Sequence, residues 1–246
     1  MELTELASAP GLVLIATAFL AAVLSTSIGA GGGLLLLGLA MFMPASAVVP
    51  SHAAIMLFGS FFGWGLLRQS VDHEMLAPFV VGSIIGLALA LPLLGKLSDQ
   101  LLTIVLGTFL LVTTWVRLPR SLALSQHYPW LCGLLSSFLS VFVGAMRPML
   151  LAMLSNAFND HRTVVATVNA FAALQHLGKI VVFLSAGALF LAAWQIIAVL
   201  IVVTLVGGWC GRHVLISSGE ATLKKAVKLM ITGLAGYLLF DALAKS

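Results

Sequence analysis

Apolar residues along this chain come neither in alternation nor in narrow stripes but in long continuous runs, broken only by charges and turn residues. Cutting at those breaks gives runs at 10–43, 46–67, 75–95, 101–118, 130–157, 163–183, 191–212 and 222–242. About 20 apolar residues make one helical crossing of a bilayer, so the pattern predicts membrane-spanning helices. A β-barrel would need alternating segments of about ten residues, and these runs are far longer. The longest polar stretch inside the chain, Arg117 to Pro129, lies near its midpoint with four runs on either side. It divides the chain into a first membrane repeat over 1–118, an inter-repeat loop over 119–129 and a second repeat over 130–246.

Each half opens on its longest run, and each of those runs carries a helix-breaking cluster: Gly29-Ala30-Gly31-Gly32-Gly33 in the first, Gly144-Ala145-Met146-Arg147-Pro148 in the second. The next run begins Val48-Val49-Pro50-Ser51 in one half and Val164-Val165-Ala166-Thr167 in the other. Weak internal symmetry of this kind is a mark of transporter folds.

Basic residues settle how the halves are oriented. With every run a full crossing, Arg68, Arg117, Arg120 and Lys245 share one face and Lys96, Arg162, Arg212, Lys224 and Lys225 the other, leaving no bias. If the two long runs are instead hairpins that enter and leave by one face, each half makes three crossings and the second is inverted. Arg68, Arg117, Arg120, Arg162, Arg212, Lys224 and Lys225 then fall together, against Lys96 and Lys245. That is the asymmetry expected of a cytoplasmic face, and it puts both termini outside. The expected fold is therefore all-α and integral to the membrane: two inverted halves, each a long broken-helix hairpin followed by three transmembrane helices. Arms of about 14–17 residues reach roughly 21–25 Å, past the centre of a ~30 Å hydrocarbon layer. The tips would meet near the midplane, where irregular backbone survives only if protein buries it or it lines a polar cavity.

Composition agrees: 61% of the 246 residues are apolar and 8% charged, where a soluble domain carries about a quarter charged residues. The net charge of +4 follows from basic cytoplasmic loops and calls for no nucleic acid. Cys132 and Cys210 show no CxxC spacing and read as small packing residues. With Glu2 and Glu5 but no Lys or Arg before Arg68, the first run lacks the basic flank of a signal peptide and is expected to stay in the protein.

Candidate site chemistry gathers at the breaks. Gly31, Gly32 and Gly33 would let a ligand approach backbone N–H groups at a restarting helix, whose positive dipole end favours an anion; the competing reading is close helix packing, which Gly59/Gly63 and Gly82/Gly86 are expected to serve. Arg147 sits deep in its run, and two readings are open: contact with an anionic substrate, or snorkelling or capping of carbonyls in the opposite hairpin. Ser51 and His52 in the first half, with Thr167, Asn169 and His176 in the second, are further polar candidates, each with packing or back-bonding to its own helix as the alternative. Lys179 is expected to snorkel to the outer interface. Apart from Asp241, no run contains Asp or Glu, so the charges inside the membrane are basic and point to an anionic substrate. No metal-ligand spacing, HExxH or GxSxG occurs, so neither metal, cofactor nor enzyme activity is expected.

Ser27-Ile28-Gly29-Ala30-Gly31-Gly32-Gly33, then Pro44 and the Ala47–His52 segment, resemble the first-half signature of the sulfite exporter TauE/SafE family, also called the toluene sulfonate uptake permeases. Gly133, Gly144, Val164–Asn169, Gly187, Gly207 and Gly211 resemble its second half. The resemblance covers nearly the whole chain and implies a bacterial inner-membrane permease for sulfite, sulfonates or related anions, coupled to protons. One departure stands out: Met146, Arg147 and Pro148 occupy the place where the family's second half often repeats its glycines. The expected partners are a small anion, the lipid bilayer and room for a homodimer. A non-transporting membrane scaffold is the alternative in another class, and a membrane-embedded enzyme a more distant one.

Overall fold

The computed structural model describes residues 6–28, 31–94, 96–116, 128–154, 157–158, 160–187, 193–214 and 220–244. Among them there are helices and no strands. In chain order the helices are α1 (Ala9–Ile28), α2 (Gly32–Phe42), α3 (Ala45–Leu66), α4 (Leu76–Ala90), α5 (Asp99–Trp115), α6 (Pro129–Val143), α7 (Arg147–Leu154), α8 (His161–Ser185), α9 (Trp194–Val214) and α10 (Glu220–Ala244). Segments of α1, α3, α8 and α9, and Leu76–Leu93 across α4 and the turn after it, are long and apolar enough to cross a membrane; α2, α5 and α6 are shorter apolar helices. Most of the inter-repeat loop lies outside the described residues.

Both long runs break where the sequence expects, but the arms are unequal. α1 has 20 residues and α2 only 11; α6 has 15 and α7 only 8. The breaks lie off the middle of each run, so one arm is nearly a full crossing and the other a stub. α2 folds back along α1: a Cβ at Gly31 would collide with the Ala21 carbonyl, and one at Gly38 would lie 2.8 Å from Thr17. α2 is apolar on every side, and a helix of that kind belongs in an interior. Gly33, Leu34, Leu35, Leu36, Leu37, Gly38 and Leu39 are all buried.

Local signals set the ends. Pro44 and Ser98 stand at the N-caps of α3 and α5, the Ser98 hydroxyl accepting the Leu101 N–H. The Asp99 carboxylate reaches across to the Ser46 N–H at 3.0 Å, satisfying a first-turn donor of α3 that its own helix leaves free. Asp160 caps α8; hydrogen bonds from the Thr163 hydroxyl and the Arg162 N–H hold its carboxyl below the usual range.

Lipid is as apolar as leucine, so helices in a bilayer associate through close van der Waals fit and small residues rather than water exclusion. Gly82 and Gly86 of α4 lie on the Trp130 and Leu134 carbonyls of α6, so the two helices run the same way. Gly207 and Gly211 of α9 lie on Phe19 and Val23 of α1, again in the same direction. α3 and α8 pack in opposite order: Gly63 lies against Asn169, and His52 against His176. α5 and α10 do likewise, with Gln100 donating to the Ala242 carbonyl and Trp115 to Thr232.

A Cβ at Gly82 has no room, whereas one at Gly59 meets nothing within 4 Å. Gly82→Ala is therefore expected to lower stability in detergent by about 1–3 kcal/mol or more, and Gly59→Ala to leave it unchanged, as read by thermal unfolding of the two purified variants side by side.

Candidate functional site

The two helix breaks meet. α2 starts at Gly32 and α7 at Arg147, and both starts line one small internal cavity of about 20 Å³ with His52, Ala145, Gln175 and His176, room for about one water molecule. Gly144 makes the second break possible: its φ of 78° lies in the left-handed region that glycine enters without steric cost. Its Cα also abuts Leu36 of α2, so each tip is packed against the other hairpin.

Breaking a helix in an apolar interior strands backbone groups, here the Gly144 carbonyl just past the end of α6, and side chains from the two central helices bind the backbone at both breaks. His52 of α3 holds the Gly32 carbonyl at 3.1 Å, and Lys179 of α8 donates its amine to the Gly144 carbonyl at 2.9 Å. Gln175 ties α8 to α6 by donating to the hydroxyls of Ser136 and Ser137 at 3.1 and 3.2 Å. Arg147 donates to the Ser60 hydroxyl of α3 at 3.3 Å, a neutral partner.

A larger cleft of about 390 Å³ begins where the small cavity ends. Arg147 and Met56 line both and form the partition between them. From there the cleft extends past Ile55, Gly59, Asn169 and Thr204 to Leu66, Leu67 and Arg162, at the end of α3 and the start of α8. A separate depression of about 190 Å³ is lined by Ala45, Ser46, Leu97, Phe142, Phe183 and Ala186, at the opposite ends of those two helices. The Lys179–Gly144 bond lies between this depression and the small cavity: Phe142 and Phe183 flank it on one side, Ala145 and His176 on the other.

The candidates from the sequence are thus divided. Gly32, His52, Arg147 and His176 converge on the small cavity, and Asn169 lines the cleft. Gly31 and Gly33 do not face either space; Gly31 is closed against the α1 backbone and Gly33 against Leu110 and Ile231. Thr167 is fully buried and accepts the Asp72 N–H at 3.1 Å, fastening the α3–α4 connection. The Ser51 hydroxyl, buried behind Pro50, has no partner. Lys179 does not snorkel: it is 0% exposed, because its face of α8 looks onto the α6–α7 break, where an unpaired carbonyl is nearer than the interface. Gly82 and Gly86 are packing residues as expected, while Gly59 lines the cleft instead. Ser60, Met56 and Arg162 escaped the sequence reading. Ser60 sits eight residues after His52 and so near the same helical face; nothing local marks the other two.

Two hairpin tips, the buried Lys179, the half-buried Arg147 and helix starts that leave N–H groups free at Arg147 and Gly32 make a surrounding suited to negative charge. Among the described residues no group of three His, Cys, Asp or Glu could hold a metal ion. The sulfite exporter TauE/SafE family model matches residues 14–238. This chain belongs to that family. It is accordingly a multi-pass membrane protein from a family of transporters rather than of enzymes. No curated protein and no solved structure matches the chain.

Lys179→Ala would leave the Gly144 carbonyl unpaired in an apolar interior, at a cost of about 1–3 kcal/mol. The expected result is a lower thermal unfolding midpoint in detergent than the parent's; an equal midpoint would show that the bond carries no stability.

Proposed function

We propose that this protein is a secondary transporter of a small anion, a sulfite, sulfonate or related oxyanion, working by alternating access around the hairpin tips and coupled to protons. The observation that carries the reading is the position of Arg147: half-buried at the start of α7, it forms the floor of a cleft open toward one end of the bundle and a wall of the small cavity beyond. A guanidinium so placed can meet oxyanion oxygens bidentately, with N–H groups of the α7 start beside it. The family description names sulfite export, and the deep charges among the candidate residues are basic.

Inverted halves fit the helix directions. Let α1–α2 correspond to α6–α7, α3 to α8, α4 to α9 and α5 to α10. A two-fold axis in the membrane plane then turns the α1–α9 contact into the α6–α4 contact, and both run parallel. It also requires α3–α8 and α5–α10, each paired with its own counterpart, to be antiparallel, which agrees with their contacts. The positive-inside bias places Arg68 and Arg162 at the cytoplasm, so the cleft is the cytoplasmic entrance and the Phe142–Phe183 depression the outer one. Exchange of access would open the Lys179–Gly144 side while closing the Arg147–Met56 side. Both termini lie outside the cytoplasm in this arrangement.

Uptake of radiolabelled sulfite into proteoliposomes tests the reading. A hydrogen bond to a charged group is worth roughly 1.5–3 kcal/mol, so Arg147→Ala should lose about 10–100-fold in apparent affinity, and Arg147→Lys less. Unchanged uptake by well-folded Arg147→Ala would remove Arg147 from the path. For orientation, alkaline phosphatase fused after Ser246 should be active in cells and a cytoplasmically maturing fluorescent protein dark; the reverse pattern overturns the proposed sidedness.

A further inference from the structure

Near the hairpin tips the polar side chains are not equally satisfied. Gln175 has two hydroxyl acceptors and Lys179 a carbonyl. The imidazoles beside them are not so satisfied: His52 has one nitrogen paired, and a nitrogen of each ring is buried with no partner. A carbonyl oxygen only accepts, so the His52 nitrogen 3.1 Å from Gly32, Nε2, must carry hydrogen. That fixes the neutral tautomer and leaves His52 Nδ1 as a bare lone pair. Nδ1 is buried and has no partner, and His176 Nδ1 is in the same condition. The rings meet edge to face with centroids 5.8 Å apart; His52 is 1% exposed and His176 6%. A histidine kept only for packing would have both nitrogens met, since buried polar groups almost always are. Two adjacent buried bases with open nitrogens are a place for a proton.

We propose that the His52–His176 pair is the binding site of the co-transported proton, loaded together with the anion held at Arg147. The inference rests on the transporter reading above and names the residues that couple its two cargoes. Among the described residues the charged groups acting on the pair are Lys179 from α8 and Arg147 from α7, with no carboxylate, while α2 contributes the Gly32 carbonyl. A proton arriving alone therefore enters a cluster of cations. One arriving with an anion enters a cluster that the anion compensates, so each cargo strengthens binding of the other, and by linkage the effect is reciprocal. Protonation at His52 Nδ1 keeps the Nε2–H bond to Gly32, so the α2 tip stays latched while the site is loaded. Both rings line the same small cavity as Arg147, which puts the two cargoes against one partition.

The test is titration calorimetry of the purified full-length protein with sulfoacetate and with methanesulfonate, anions whose charge is constant between about pH 5.5 and 8. Running each titration in two buffers of different ionisation enthalpy counts the protons taken up. About one proton per bound anion is expected, with the apparent Kd weakening about tenfold for each pH unit on the alkaline side of the pair's titration. His52→Gln keeps an amide donor for the Gly32 carbonyl but cannot accept a proton; it should bind the anion without proton uptake and independently of pH. Anion binding by the parent protein with no proton uptake, or uptake unchanged in His52→Gln, overturns the inference and leaves the transporter reading standing. Should His52→Gln fail to fold, His176→Gln is read by the same criterion: uptake lost supports the pair, uptake unchanged overturns it. If neither these anions nor sulfite binds the parent protein, the transporter reading itself fails, and the inference with it.

Discussion

A peptide carbonyl released from a helix inside an apolar slab has no water to turn to, and the protein around it must supply the donor. The Gly144 carbonyl, just past the end of α6, is such a group, and together with the Gly32 carbonyl in the first turn of α2 it organises the centre of this molecule. Each is met by a polar side chain from a different central helix, His52 from α3 and Lys179 from α8. Those two bonds explain why a lysine and a histidine lie buried among leucines, and why α3 and α8 must pack against each other rather than stand apart. A break in a helix becomes tolerable only once another helix is committed to it.

The rest of the architecture brings the committed helices into register. Where helices approach closely, as α4 does α6 and α1 does α9, glycine removes the side chain that would hold the backbones apart. Such contacts are stiff, because neither side has a flexible atom to give. The region between them is different: a cleft on one side of Arg147, a nearly filled cavity on the other, and a shallow depression beyond Lys179. Rigid flanks around partly empty middle layers, with a hydrogen bond at each partition beside only a few apolar side chains, are a construction in which the partitions can exchange without remaking the core.

Much of this was readable in the run pattern. The breaks at the triglycine and before Pro148, the deep position of Arg147 and the packing role of Gly82 and Gly86 each follow from a local rule about glycine, proline or charge in lipid. Other features depend on what a residue faces. Gly31, Gly32 and Gly33 are identical in sequence terms, yet one is closed on α1, one lines the cavity and one packs on α5 and α10. Lys179 lies near enough to a helix end for its stem to reach the interface, and only the stranded carbonyl opposite explains why it does not. Thr167 and Ser51 stand at matching positions early in α8 and α3, but the chain folds the α3–α4 connection onto Thr167 alone.

From the chain alone came the medium and the vocabulary: apolar runs long enough for lipid, a cationic interior and two places where helix cannot continue, since these follow from composition and short-range sterics. Tertiary structure decided the grammar, namely which glycine meets a cavity, which base meets a carbonyl, and that Arg147 stands between two spaces. The physical reason is that pairing in a low-dielectric interior is chosen by distance across helices far apart in sequence, and no local pattern encodes that distance.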